Sequence, residues 1–335
     1  MHAGVDRERL RRWMDAQGLG RGELSVAVEL GGGTQNILLR FTRDGRDYVL
    51  RRPSLHPRPD GGETMRREAR VLAALGATAV PHPRLIASCD DEQVLGCAFY
   101  LMEPVDGFNP LNGLPALHEA SAAMRRRMGF ALVEGCAALG ALDHASLGLA
   151  GFGRPDGFLE RQVARWSAQL AGYTAIAGWP GAAGLPAVDA VGVWLQQNLP
   201  ARFAPGLMHG DYHFGNVLYR HDDAELAAIV DWEMATIGDP LLDLGWLLAT
   251  WPAADESLPW RGLPQPEELV AHYRERSRRD LAHIDWYAVL ACYKLAIVLE
   301  GTHARACAGK APRATGELLH ERACVLLRRA LDWIG

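Results

Sequence analysis

"LMHGDYHFGNVLYR" at residues 207–220, followed by "IVDWEMATIGDPLLDLGW" at 229–246, decides how this chain reads. The first stretch gathers His209, Asp211, His213 and Asn216 between short apolar runs of strand character, and the second adds Asp231 and Asp243. On a helix, His209 and His213 would share a face and could hold a metal with Asp211 or Asp231. Gly210 and Gly215 make that helix a poor choice, and His221, the next nitrogen ligand, sits in a turn. The oxygen groups read better: Asp211, Asn216 and Asp231 lie at strand ends or in loops and suit Mg²⁺, which keeps waters and shares phosphate oxygens for its remaining ligands. If Asn216 and Asp231 hold the ion, Asp211 is left to orient a hydroxyl or take its proton, which is the apparatus of phosphoryl transfer. A single Asp or Asn beside glycine is commonly a turn residue bonded to its own backbone, so the reading rests on both stretches occurring in order. Asp239, just before Pro240, reads as a helix cap. His209 reads as a structural tether, and His213 as facing either substrate or core.

Outward from this pair the chain divides in two. Residues 23–104 carry strand-type runs, "ELSVAVEL", "NILLRF" and "DYVLRRP", separated by the turn signals "GGGTQ" and "RDGR". One helical stretch at 62–76 follows, then "PRLIASCD" and "AFYLMEPV". Beyond residue 105 the pattern is mainly helical, over 115–143, 155–200 and 265 to the end. Within it, 206–219 and 225–232 are expected to form small hairpins set into the helices. The expectation is an α+β fold, with a strand-rich part at 1–104 and a helical part at 105–335.

Composition limits the alternatives. The 335 residues are 49% hydrophobic and 22% charged, with net charge -5 and dispersed arginines, which argues against a nucleic-acid partner. The most apolar run, "WYAVLACYKLAIVLE", is interrupted by Lys294, and the N-terminal stretch reads as an amphipathic helix rather than a secretory signal, so no membrane partner and a cytoplasmic location are expected. The six cysteines show no zinc spacing.

Three features of the first part could serve a nucleotide. In "LGGGTQN", Gly32, Gly33 and Thr34 would let backbone N–H groups approach phosphate, although the stretch also reads as a simple hairpin turn. On the 62–76 helix, Met65, Ala69, Leu72 and Leu75 form an apolar stripe and Glu68 falls on it, so that carboxylate needs a cation. Arg51 is the natural partner, Arg52 points to the other face of the strand, and a solvated Arg–Glu pair is the plain alternative. In "AFYLMEPVDG", the Glu103 carbonyl and Val105 N–H could meet an adenine edge in front of Met102, since Pro104 has no N–H to give.

Taken jointly, "HGDYHFGN", "VDWE" and "GDPLLDLGW" resemble the aminoglycoside phosphotransferase and choline kinase-like family. "LGGGTQNILLRF", "YVLRRP" and "FYLMEPVDG" bring the likeness closer to the branch associated with acyl-CoA dehydrogenases. The resemblance spans about residues 25–330. It implies a protein kinase-like two-lobed fold, with a small antiparallel-sheet lobe carrying one main helix and a larger, mostly helical lobe. It implies ATP and Mg²⁺ as cofactors, with Asp211 as catalytic base, Asn216 and Asp231 as metal ligands, and Asp243 bracing the loop. His213, Trp232 and Glu233 are then the residues expected to face substrate. Such folds usually carry lysine where this chain has Arg51, a departure whose fork can still grip phosphate and carboxylate. The partner it implies is a small hydroxylated molecule. Few acids at 155–200 and many arginines at 272–305 favour a neutral or anionic acceptor, and the branch implies a hydroxyacyl thioester or hydroxy acid. An aminoglycoside- or choline-type kinase, an inactive nucleotide-binding scaffold and a metal-dependent hydrolase are the competing readings.

Overall fold

The computed structural model describes residues 5–31, 36–54, 60–252 and 260–335. In chain order the elements are α1 (Arg7–Ala16), β1 (Val28–Glu29), β2 (Asn36–Arg43), β3 (Arg46–Pro53), α2 (Gly61–Leu75), β4 (Leu85–Cys89), α3 (Glu92–Leu95), β5 (Phe99–Met102), α4 (Ala116–Ala120) and α5 (Ala122–Gly140). They continue with α6 (Glu160–Gly172), α7 (Val188–Gln197), β6 (Gly206–Met208), β7 (Val217–Tyr219), β8 (Leu226–Ile229), β9 (Thr236–Gly238), α8 (Leu241–Thr250), α9 (Pro266–Arg276), α10 (Ile284–Cys307) and α11 (Arg313–Ile334).

Residues 1–120, 146–149 and 215–235 form one compact unit, and the remainder forms a second. The first unit is built on a five-stranded antiparallel sheet in the order β1-β2-β3-β5-β4. Along β2 the side chains alternate, and the buried set of Ile37, Leu39 and Phe41 joins Leu10 and Met14 of α1 with Tyr48, Leu50, Phe99 and Leu101 in one core. Helix α1 starts where the Asp6 carboxylate accepts the Arg9 N–H at 3.0 Å. The strand expected across 23–30 narrows to Val28 and Glu29, exposed at the sheet edge, with single bonds from the Ser25 N–H to the Thr42 carbonyl and from the Leu30 N–H to the Leu38 carbonyl, each 2.9 Å, on either side.

Sequence drew the divide after residue 104, whereas the first unit keeps the chain through Ala120 and takes back 215–235. Backbone bonding is the reason. Phe108 and Tyr219 exchange two hydrogen bonds of 2.9 Å, and the Ile229 N–H donates to the Pro81 carbonyl at 2.9 Å. The β7–β8 hairpin therefore packs with the sheet rather than among the helices.

In the second unit α10 is the central helix, packed against α6, α7, α8 and α11. Its buried side chains run around its circumference, as an all-round apolar helix requires. Ser121 caps α5 by accepting the Met124 N–H at 3.2 Å. The short antiparallel pair β6–β9 holds the segments that lead into His209 and Asp239. Among the described residues, no helix is long and apolar enough to cross a membrane.

Candidate active site

The first unit contains a cavity of about 620 Å³ with two different ends. One is apolar, walled by Leu38, Val49, Leu72 and Met102, beside the Glu103–Pro104–Val105 segment. Neither the Glu103 carbonyl nor the Val105 N–H bonds to another described backbone group. The Glu103 carboxylate pairs with Arg46 at 3.0 Å.

At the charged end, Arg51 reaches from β3 between two carboxylates. Its Nη2 donates to Asp231 Oδ1 at 2.7 Å and to Glu68 Oε1 at 3.2 Å, while Nε lies 2.9 Å from Glu68 Oε2. Glu68 faces inward because it sits on the buried stripe of α2 with Met65, Ala69, Leu72 and Leu75. Tyr100 on β5 donates its hydroxyl to Glu68 Oε2 at 2.8 Å. Burial pushes the Glu68 carboxyl up to about 7, opposed by the Arg51 charge and the Tyr100 bond. Arg52, equally buried, turns its guanidinium to the Pro53 carbonyl instead.

Asn216 and Asp231 flank the open end of one hairpin, just before β7 and just after β8. The Val230 N–H donates to the Asn216 carbonyl at 2.9 Å, so Asp231 follows directly after the residue paired with Asn216. Asp231 has a left-handed backbone, φ +66°, rare outside glycine. Glu233 accepts the Asn36 amide at 3.2 Å. Asn216, Asp231 and Glu233 thus present oxygen donors on one wall, a set that fits a hard cation such as Mg²⁺. Trp232 and Glu233, expected to face substrate, line this same cavity, and the Trp232 indole N–H is spent on the Ile229 carbonyl at 3.0 Å. Gly32, Gly33 and Thr34 lie outside the described residues.

In the second unit Asp211 sits in the turn after β6. Its backbone N–H donates to His209 Nδ1 at 3.3 Å, which takes that imidazole nitrogen from any metal and fixes His209 as a buried tether. Among the described residues, no cluster able to share an ion includes His209, His213 or Asp231. Asp243, one turn into α8, accepts the His209 N–H at 2.6 Å and the Gly210 N–H at 2.8 Å. Burial pushes its carboxyl up to about 7 against the pull of those two donors. Asp239 accepts the Leu241 N–H at 3.0 Å, holding the start of α8. His213 Nε2 stands 3.4 Å from Asp211 Oδ1.

Two residues here were absent from the sequence-based set. Trp246 donates its indole N–H to Asp211 Oδ1 at 2.8 Å. Lys294, half-buried in α10, lies over the Trp246 ring at 4.3 Å and the Trp166 ring at 5.6 Å, with Nζ 3.5 Å from the Gly210 carbonyl. Burial lowers its pKa, and Asp211 and Asp243 hold it up. The sequence signal for Lys294 was its position as the one cation in an otherwise apolar run, and for Trp246 its place at the end of "GDPLLDLGW".

Comparison with known proteins bears on family and fold. A family model described as "Phosphotransferase enzyme family" matches residues 26–287. The chain is 31% identical over 314 residues to acyl-CoA dehydrogenase family member 11 of Gallus gallus, covering 90% of this chain and 39% of that protein. The chain thus spans well under half the length of that curated relative. Among solved structures, a candidate aminoglycoside phosphotransferase from Ralstonia eutropha JMP134 superimposes with a TM-score of 0.82 at 26% identity, covering 98% of both chains. The GDP and kanamycin complex of APH(2″)-IIIa shares the fold at 18% identity, with a TM-score of 0.65 over 96% of this chain and 98% of that one.

Proposed function

The chain belongs to the phosphotransferase enzyme family and has its protein kinase-like α+β fold, and from that premise we propose that it transfers the γ-phosphoryl group of ATP to a hydroxyl of a small molecule. The observation that carries this reading is Arg51, bonded at once to Glu68 and Asp231 at the charged end of a cavity whose other end is apolar. The apolar end suits an adenine, with the Glu103 carbonyl as acceptor and the Val105 N–H as donor. Arg51, oriented by Glu68, supplies the fork for phosphate oxygens in place of the usual lysine. Asn216 and Asp231 would hold Mg²⁺, which supplies charge neutralisation to the phosphates when bound.

Asp211 is the group that orients the acceptor. With Oδ1 fixed by the Trp246 N–H, its carboxylate takes the hydroxyl proton as the new P–O bond forms and the bond to the ADP oxygen breaks. Such catalysis rests on positioning and fixed charge more than on covalent chemistry.

For the acceptor, we favour a hydroxyacyl thioester or hydroxy acid over an aminoglycoside. Its support is the likeness to acyl-CoA dehydrogenase family member 11 and the local charge: Lys294, whose charge interacts with Asp211, shares the Trp166 ring with Arg165. Two cations there repel a polycation and attract an anion. Magnesium-dependent ADP release measured against hydroxyacyl-CoA esters, hydroxy acids, choline and kanamycin tests this assignment. Asp211→Ala should abolish transfer while nucleotide binding survives; normal turnover in that variant would overturn Asp211 as base. ADP release with kanamycin alone would overturn the acceptor.

A further inference from the structure

Away from these residues, the α10–α11 hairpin carries a second cluster of ligating side chains. Glu300 and His303 lie one helical turn apart on α10, in a Glu-x-x-His spacing, and His320 faces them from α11. One ligand atom from each falls within 4.8 Å of the others. The two imidazole rings overlap at 4.6 Å between centroids, inclined by 33°. Glu300 is fully buried, whereas His303 and His320 are half-buried, so the cluster has a closed floor and an opening to solvent.

Every prospective ligand already has the outer partner that metal ligands require. Glu300 Oε1 accepts the Trp179 indole N–H at 2.7 Å. The Nε2 of His303 lies 3.6 Å from Cys307 Sγ, and the Nε2 of His320 lies 3.7 Å from Cys324 Sγ. With the Nε2 atoms occupied outward, the Nδ1 atoms are left to face inward. His320 Nδ1 meets Glu300 Oε2 at 2.7 Å. His303 Nδ1 is buried and has no hydrogen-bond partner. A buried imidazole nitrogen without a partner is unusual, and a bound cation would satisfy it.

We propose that Glu300, His303 and His320 form a binding site for a borderline divalent transition-metal ion of the Zn²⁺ class, separate from the oxygen-donor wall of the nucleotide cavity. Two imidazoles and one carboxylate, with the fourth position open to water, are a zinc donor set and a poor one for Mg²⁺. In tetrahedral coordination at about 2.0–2.1 Å the ligand atoms stand about 3.3 Å apart, so the His320–Glu300 pair opens slightly and His303 swings in. The ion would clamp α10 to α11 and, through Glu300 and Trp179, fix the segment after α6.

The test uses the full chain stripped with EDTA and re-equilibrated with Zn²⁺ in millimolar Mg²⁺. Expected are one zinc per chain after gel filtration, a raised melting temperature, and loss of both in His303→Gln and His320→Gln, with circular dichroism reporting their folding. Co²⁺ bound to the unaltered chain should give the intense visible bands of low-coordinate nitrogen ligation, a readout independent of the variants. The proposal is overturned if no zinc is retained at micromolar concentration, if Co²⁺ shows only faint octahedral bands, or if folded histidine variants bind as well as the parent. It is equally overturned if the zinc disappears with Asp231→Asn alone.

Discussion

Replacing Asp243 with asparagine keeps the size of the side chain and removes its charge, at a point where two backbone N–H groups converge. The folded carboxyl is pushed up from 3.8 to about 7, so the folded state binds its proton more tightly than the unfolded chain does. Its contribution to stability is therefore fully present below the unfolded value and is lost as pH rises through the folded one. A shift of this size is worth about 4 kcal/mol in all, of which about 3 kcal/mol falls between pH 5 and 8. Asparagine does not titrate. The parent should thus lose about 3 kcal/mol relative to Asp243→Asn across that range, read from urea unfolding of both proteins in a pH series. Activity should run the opposite way, because only the ionised carboxylate can accept from both His209 and Gly210. An amide accepts one and leaves the other N–H unmet, at about 1–3 kcal/mol, so at pH 8 turnover of the variant should fall about tenfold or more. A difference in stability that stays flat from pH 5 to 8 would refute the reasoning.

Arg51→Met strands the buried Glu68 carboxylate and should destabilise the first unit by about 3–5 kcal/mol, seen in urea unfolding, with ATP binding by calorimetry weakened; Arg51→Lys should recover most of both. Trp246→Phe removes the 2.8 Å bond to Asp211 and should cut kcat about 10- to 100-fold while leaving the KM for ATP unchanged in steady-state assays. Gly245 approaches α10 so closely that a Cβ would sit 2.5 Å from the Tyr287 carbonyl, so Gly245→Ala should destabilise by about 1–3 kcal/mol in thermal melts.

What the sequence disclosed followed from local pattern. The stripe of α2 predicted that Glu68 is buried and needs a cation, since 3.6-residue periodicity fixes which face a residue occupies. The helix boundaries there shifted by one residue, from 62–76 to Gly61–Leu75. Relations across long separations were not legible. No period in the chain announces that Trp246 reaches Asp211, or that Lys294 lies over two indole rings, because those contacts depend on how α8 and α10 pack. The return of 215–235 to the sheet was hidden for a similar reason: it depends on Phe108 and Tyr219 meeting, which neither local stretch signals. Strand β9 was missed because three residues, Thr236–Gly238, are too few to show alternation.

The left-handed turn of the chain at Asp231, φ +66° and ψ +64°, has a consequence for how its carboxylate works. A non-glycine residue in that conformation stores about 1–3 kcal/mol of strain, held by the hairpin before it and the short turn after it. The main chain here sets the angle at which the side chain leaves it, like a nozzle welded at its base, and the Arg51 bond holds the carboxylate at the far end. Glycine would let the spring uncoil and leave nothing to aim, whereas alanine would inherit the tension without the carboxylate that gives it a use.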